Sequence, residues 1–506
     1  MKGKVVHAVR PLLLSAALSW TGVAIAQEGT PAPAQAPAPA PAPKEAIAPA
    51  AKADPAALDK GLAAFYAKSY RDAAPLLFAY AEGAPQTDEN RPWAQYFLAR
   101  SLKELGLRHA AAFHLAKIAR ERANPAVLPK ALEELKGLTE LPHDEVLIDE
   151  QIFGSLDLAF LPAETSAYAH YQQGLLALKA GNERWAENHF ARLEPTTAEA
   201  SRAKFALLVT RLRNGKAADA AMVEQFLGLA SDPQLTPQMR NEAMMAVGRL
   251  RYEARDYQGA LDAYAKVQLP PLDPGQASLY LEEAWARYQL GQLHAAMGLL
   301  TTLEAPTFRD EFLPDKYLLR AFIYRDLCHY LPARRAAREL TRRFADSLET
   351  IRDRGELTAD LRLRRAAVTR GATQRAHEHL EALELERERL GRFAGSFGQR
   401  LFKHLAATYD LSRAEADRQF RLRLDEAVRR EADKLLRAEE QVRLMDYEVG
   451  LKLYERIKRG AKLASRIEEE GLRTDQVAFA FNGEYWNDEL RTYRFSLQSR
   501  CMEDAP

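Results

Sequence analysis

The chain has 506 residues, 71 basic and 70 acidic side chains, a formal charge of +1 and two cysteines. So even a balance gives no global attraction to nucleic acid. The length also exceeds the roughly 250–300 residues that one hydrophobic core can organise, so the chain must be divided into domains or built from repeats with local cores.

Lys2, Lys4 and Arg10 precede an apolar run of 14 residues, Leu12 to Ile25, which closes on Ala24-Ile25-Ala26. This order of charge, apolar run and small residues predicts a secretory signal peptide over 1–26, cleaved after Ala26. The alternative is an uncleaved N-terminal anchor. The run is short for a bilayer span, which takes about 20 residues. No cysteine stands at the cut, and no later stretch is apolar enough to cross a membrane. The expected location is the periplasm or the cell envelope. Residues 27–53 are almost wholly Ala, Pro, Gln and Lys, which predicts an extended, disordered tether. A plain spacer accounts for it; a wall-binding role is the other reading.

From 54 to 345 one alanine keeps returning. Ala186, Ala220, Ala260, Ala296 and Ala333 are spaced by 34, 40, 36 and 37 residues. Each is preceded by a stretch that reads as two short helices joined by a turn. The clearest unit runs from Tyr252 to Tyr264: an aromatic closes the first helix, a polar turn follows, Tyr257 opens the second helix, and Ala260 precedes Tyr264 by four residues. A small residue belongs where two helices cross closely, and large ones fill the space around it. The same frame fits Gly174, Gly181, Ala186 and Phe190; Leu208, Gly215 and Ala220; Ala284, Gly291, Ala296 and Leu300; Ala321, Tyr324, Cys328, Tyr330 and Ala333. Upstream it fits Gly61, Tyr70, Ala73 and Leu77, then Gly106 and Ala111, with a degenerate helix pair expected near 126–153.

This pattern resembles the tetratricopeptide repeat. The resemblance implies an all-α fold: a right-handed α-solenoid of helix-turn-helix repeats. It also implies that the first helix of each repeat lines a concave groove. That frame puts Tyr168, Tyr171, Arg202, Phe205, Arg213, Arg249, Tyr252, Trp285, Tyr288, Phe322 and Arg325 on the groove. Aromatics and arginine are the types enriched at binding hot spots, and such a groove suits a peptide helix or an extended segment. The alternative for these aromatics is packing between neighbouring repeats.

After Phe344 the frame is lost. Residues 346–471 are charged and helix-favouring, with apolar recurrences of seven at Leu383, Leu390 and Phe397 and at Val428, Leu435, Val442 and Val449. Ala438 and Met445 fall at companion positions. The spacing predicts a long antiparallel helical hairpin with a coiled-coil seam. Its turn is expected at Thr408–Ser412, where Ser412 and Glu415 form a capping box. Further degenerate repeats lying across the solenoid are the alternative. Ten arginines from Arg334 to Arg365 crowd the start of this arm. A solvated helix face explains them; an anionic envelope polymer or acidic partner is the sharper reading. The tail, 472–506, is aromatic and reads as a cap on an exposed helical surface. In an exported chain Cys328 and Cys501 are candidates for a disulfide; two separate buried thiols are the alternative. The tail, with the run from Ala321 to Tyr330, is similar to exported tetratricopeptide proteins of myxobacterial cell-envelope machinery of the gliding type.

No catalytic constellation emerges. His377-Glu378-His379 places its histidines two apart, on different helix faces, whereas helical zinc sites use histidines four apart. A solvated face is expected there. Gly395-Ser396-Phe397-Gly398 lacks the spacing of a nucleophile elbow. No phosphate loop, metal site, cofactor site or nucleic-acid motif is found. The expected function is a non-enzymatic scaffold for envelope proteins or their peptide segments. A peptidoglycan-binding module, a wall-remodelling enzyme or its activator is the alternative.

Overall fold

The computed structural model describes residues 54–121, 124–154, 161, 163–215, 219–270, 273–369, 371–459, 483–495 and 497–501. The expected signal peptide and tether, the end of the arm from 460 and the start of the tail to 482 lie outside these residues. Among the described residues every regular element is a helix and there is no strand. The helices pack in successive pairs, an arrangement compatible with an α-solenoid.

α1 (Pro55–Tyr66) packs on α2 (Tyr70–Gly83), and α3 (Arg91–Glu104) on α4 (Arg108–Glu121). α5 (Leu128–Thr139) precedes a π-helix (Val146–Phe153), α6 (Ala163–Lys179) packs on α7 (Glu183–Phe190), and α8 (Ala198–Arg213) follows. α9 (Ala220–Ala230) packs on α10 (Pro237–Glu253), α10 on α11 (Tyr257–Tyr264), α12 (Pro274–Gln289) on α13 (Leu293–Thr302) and α14 (Asp315–Asp326) on α15 (Tyr330–Arg343). Then come α16 (Ala345–Arg352), α17 (Leu361–Val368), α18 (Gly371–Gly391) and α19 (Gly398–Lys458). The chain forms two compact units: an N-terminal unit of 54–211 and 371–423, and a C-terminal unit of 212–369 and 424–501. The boundary falls within α8 and again within α19.

The repeat has a backbone cause. Lys68, Gly106, Gly181, Gly215, Arg255, Gly291 and Cys328 all have positive φ, and each stands five residues before one of the recurring alanines. A left-handed residue there ends the first helix. The next amide then closes the turn by reaching back over the helix end: Ser69 N–H donates to Ala64 O, Asp256 to Arg251 O and His329 to Tyr324 O, all at 2.8–2.9 Å. The residue after the turn caps the second helix where its side chain allows, as Asn182 does for Trp185 N–H at 3.1 Å and Asp256 for Gly259 N–H at 2.9 Å.

Ala73, Ala111, Ala186, Ala260, Ala296 and Ala333 are fully buried. The lock beside them pairs a small residue on the first helix with a large one on the second. A β-carbon on Gly174 would stand 2.2 Å from the Phe190 ring, and one on Gly248 would stand 2.2 Å from the Tyr264 ring. Ala220 departs from the expectation: it is exposed, at the first residue of α9. In its unit both members of the lock are changed, with Leu208 where the small residue belongs and exposed Glu224 where the large one belongs. Nothing there asks for a buried alanine, and the helix begins three residues late in the frame.

In the N-terminal unit, Leu383, Leu390, Phe397, Leu401, Leu405, Tyr409 and Ala416 share one core with α1 to α6. Contacts between α18 and the first part of α19 pair Thr373 with Arg423, His377 with Phe420, Glu384 with Arg413 and Arg387 with Asp410. The expected turn at Thr408–Ser412 is instead the interior of α19. No glycine or proline interrupts that stretch, whereas Gly391, Gly395 and Gly398 surround the actual bend, and Gly398 has positive φ. The seam therefore belongs to a shared core and not to a free-standing arm.

In the C-terminal unit, Val428, Leu435, Ala438, Val442, Met445 and Val449 are buried. Ion pairs flank them: Asp446 with Arg334 of α15 at 2.7 Å, Glu448 with Arg325 of α14 at 3.3 Å, and Glu439 with Arg352 of α16. Residues 483–495 and 497–501 form a strap on α12 to α14. Phe495 N–H donates to His294 O at 3.1 Å, Arg500 N–H donates to Leu327 O at 3.1 Å, and Arg491 pairs with Glu283. The carbonyl of Tyr493 would lie 1.8 Å from a β-carbon on Gly298, so only glycine admits the strap there. Cys501 is disulfide-bonded to Cys328, closing a sequence separation of 173 residues.

Candidate interaction surface

Setting Phe205 aside, the ten other groove residues do not share one unit. Tyr168, Tyr171 and Arg202 belong to the N-terminal unit and the other seven to the C-terminal one. Tyr168 and Tyr171 are buried: Tyr168 shares a 2.8 Å hydrogen bond with Thr139, and burial pushes the Tyr171 phenol up to about 12. Arg202 stands 3.7 Å from Glu140. Phe205 is fully buried.

In the C-terminal unit Arg249 is buried and held bidentately by Glu282, at 3.0 and 2.8 Å. Burial disfavours the guanidinium charge, but Glu282 more than offsets it and raises the pKa. Tyr252 is among the largest fully buried side chains. Arg213 is half-buried; burial, then Arg430, brings it down to about 10.

The remaining four form one cluster. Trp285 and Phe322 are buried, with ring centres 6.1 Å apart, and Tyr288 stacks on Phe322 at 6.2 Å. Arg325 lies 4.9 Å over Phe322, and Tyr288 donates its hydroxyl to Asp326 at 2.7 Å. Burial, then the charge of Asp326, raises the Tyr288 pKa. Glu448 of α19 meets Arg325, so the chain's own long helix reaches this face. Six of the ten side chains are buried by neighbouring helices, because aromatics at helical crossings find protein partners before an external one does.

A different surface is open. Leu444, Tyr447, Leu451 and Tyr454 follow the spacing 3, 4, 3 along one face of α19 and are between 48 and 69 % exposed. Ile457 continues the stripe at 57 %. Of the arginine cluster, Arg334 and Arg338 face Asp446, Arg343 faces Asp310 and Arg352 faces Glu439. Arg335, Arg342, Arg354, Arg362, Arg364 and Arg365 are exposed.

The N-terminal unit holds a cavity that no local sequence pattern signals. Its volume is about 270 Å³, and it lies between α4, the segment from Leu138 to Ile148 and α18, with His109, His143, His379 and Glu386 in its polar lining. His379 was expected on a solvated face and is buried, while His377 pairs with Glu381 at 3.4 Å and stacks on Phe420. Glu386 accepts from Tyr409 at 2.7 Å and from His109 N–H at 2.9 Å. Burial raises its pKa. Burial lowers His109 to about 3 and His379 to about 4. On His143 burial is outweighed by Asp149, 3.3 Å away, and the pKa rises. Among the described residues no group of three or more His, Cys, Asp or Glu is arranged to hold a metal, and no helix is long and apolar enough to cross a membrane.

Compared with known proteins, the chain matches no family model and no curated protein.

Proposed function

We propose that the protein is an exported, non-enzymatic scaffold that holds cell-envelope proteins together by binding their helical or peptide segments. In this reading the repeats stack as a right-handed tetratricopeptide-like solenoid, and α18 folds against the first part of α19 as a hairpin whose bend lies between Gly391 and Gly398 instead of at Thr408–Ser412. The observation that carries it is the stripe Leu444-Tyr447-Leu451-Tyr454. Contiguous apolar side chains left in water mark interaction sites, tyrosine is a hot-spot residue, and a stripe at this period suits a partner helix with its own apolar face. The exposed arginines from Arg335 to Arg365 are a secondary contact for an anionic envelope polymer. The likeness of the tail to gliding-type envelope proteins supports the same setting.

The test is an in-cell crosslinking pull-down with Tyr447→Ser and Tyr454→Ser together. Partner recovery is expected to fall by about tenfold, the scale of a lost hot spot. Recovery equal to the unsubstituted protein overturns the assignment of this surface.

A further inference from the structure

We propose that the packing of α18 and the first part of α19 on the repeats of the N-terminal unit is a proton-operated latch, which opens in acid as two pairs of buried histidines take up protons.

α4 carries both repeat-side members. His109 faces His379 of α18 with ring centres 5.7 Å apart, and His114 faces His404 of α19 at 5.5 Å. His109, His114 and His379 are at most 7 % exposed, and His404 is half-buried. Among the described residues His109 Nε2, His379 Nε2, His404 Nε2 and both ring nitrogens of His114 have no hydrogen-bond partner. The imidazoles thus sit in the interface as neutral, mainly apolar bodies. Tyr409 stands against His109, and Phe78 and Phe113 against His404.

The charged surroundings do not favour imidazolium. Around His109 stand His379 and Glu386, the latter already occupied by Tyr409 and the His109 backbone. Around His379 stand His143, Glu145 and Arg423. Burial opposes the charge of Glu145, but Arg423 and Arg375 bring it down to about 2, so its charge is already matched. His114 faces His404 and Lys117, both of which oppose its charge. His404 faces Glu82, which favours its charge, and Lys117, which opposes it. Burial is the largest cause in all four, and all four are lowered, His109 to about 3 and His379 to about 4.

The undocked helices, with ordinary histidines near pH 6.5, therefore bind more protons than the docked ones. Docking is complete above that pH and is lost as the pH falls towards 4 and below. The docking equilibrium changes by up to about tenfold per histidine for each pH unit in that window. The cavity beside His109 and His379 gives protons a way in. A third pair, His170 and His189 at 3.0 Å, joins α6 to α7 and lies outside the latch.

The test is amide hydrogen exchange on the full chain from pH 7.5 to 4.5, corrected for the intrinsic rate, comparing the unsubstituted protein with His114→Phe/His404→Phe. Protection of residues 401–416 is expected to fall with pH while residues 315–343 stay protected. The double variant should keep its protection at pH 7.5 and lose about half of the steepness, having two of the four histidines. Unchanged protection down to pH 4.5, simultaneous loss in 315–343, or equal steepness in the variant overturns the latch. Should the variant not fold, histidine ring titrations by NMR on the unsubstituted chain decide. Ionisation of the buried rings coincident with loss of protection supports the latch, and ionisation near pH 6.5 with 401–416 still protected overturns it.

Discussion

The two stretches of α19 bury the same kind of seam in different company. In the N-terminal unit Leu401, Leu405 and Tyr409 enter a core beside which His109, His114, His379 and His404 each leave at least one ring nitrogen without a partner. In the C-terminal unit Val428, Leu435 and Val442 are edged by carboxylates, each facing an arginine. One helical period thus supports two kinds of edge. The first is sensitive to protons, because an uncharged group buried without a partner has everything to lose on ionising. The second is sensitive to salt, because exposed pairs are screened.

The largest effect should come from the most extreme paired charge. Glu282→Ala leaves Arg249 as an unmatched buried cation and is expected to destabilise the C-terminal unit by about 3–5 kcal/mol in urea unfolding. A loss below about 1 kcal/mol would mean that water already reaches the pair. Next come the seams. Leu405→Ala and Leu435→Ala should each cost about 2–5 kcal/mol. Hydrogen exchange should place the first loss in the N-terminal unit and the second in the C-terminal one; equal loss in both units for either variant would erase the comparison. Asp446→Asn should cost about 0.2–1 kcal/mol, and the difference from the unsubstituted protein should shrink in 1 M salt, where the screening length is about 3 Å. At the bottom of the scale, Ala220→Lys should fall within about 0.5 kcal/mol, as an exposed site does.

The sequence carried the repeats because their signal is local. A residue in the left-handed turn, five residues to the alanine, and a small residue opposite a ring all lie within about one repeat. Ala220 fits the frame with Leu208 and Gly215 but not the lock, because Leu208 stands where the small residue belongs and Glu224 where the ring belongs. The heptad positions from Val428 to Val449 were legible as a buried seam, but not what buries them. A stripe specifies that it needs a partner, and only the tertiary arrangement says whether that partner is a second leg or the repeats. The same gap explains the groove: Trp285 and Phe322 have hot-spot chemistry, and burial by α12, α14 and their neighbours removes them from reach. The histidines were hardest. His379 stands between Glu378 and Leu380, downstream of His377, and looks solvated; its ring meets His109, 270 residues away in the chain.

The bond between Cys328 and Cys501 turns most of the C-terminal third of the polypeptide into a covalent ring. A protease that nicks the backbone once inside that ring opens it without releasing a fragment. The damaged protein would run at full mass on a denaturing gel until a thiol reductant is added, and then divide into two pieces.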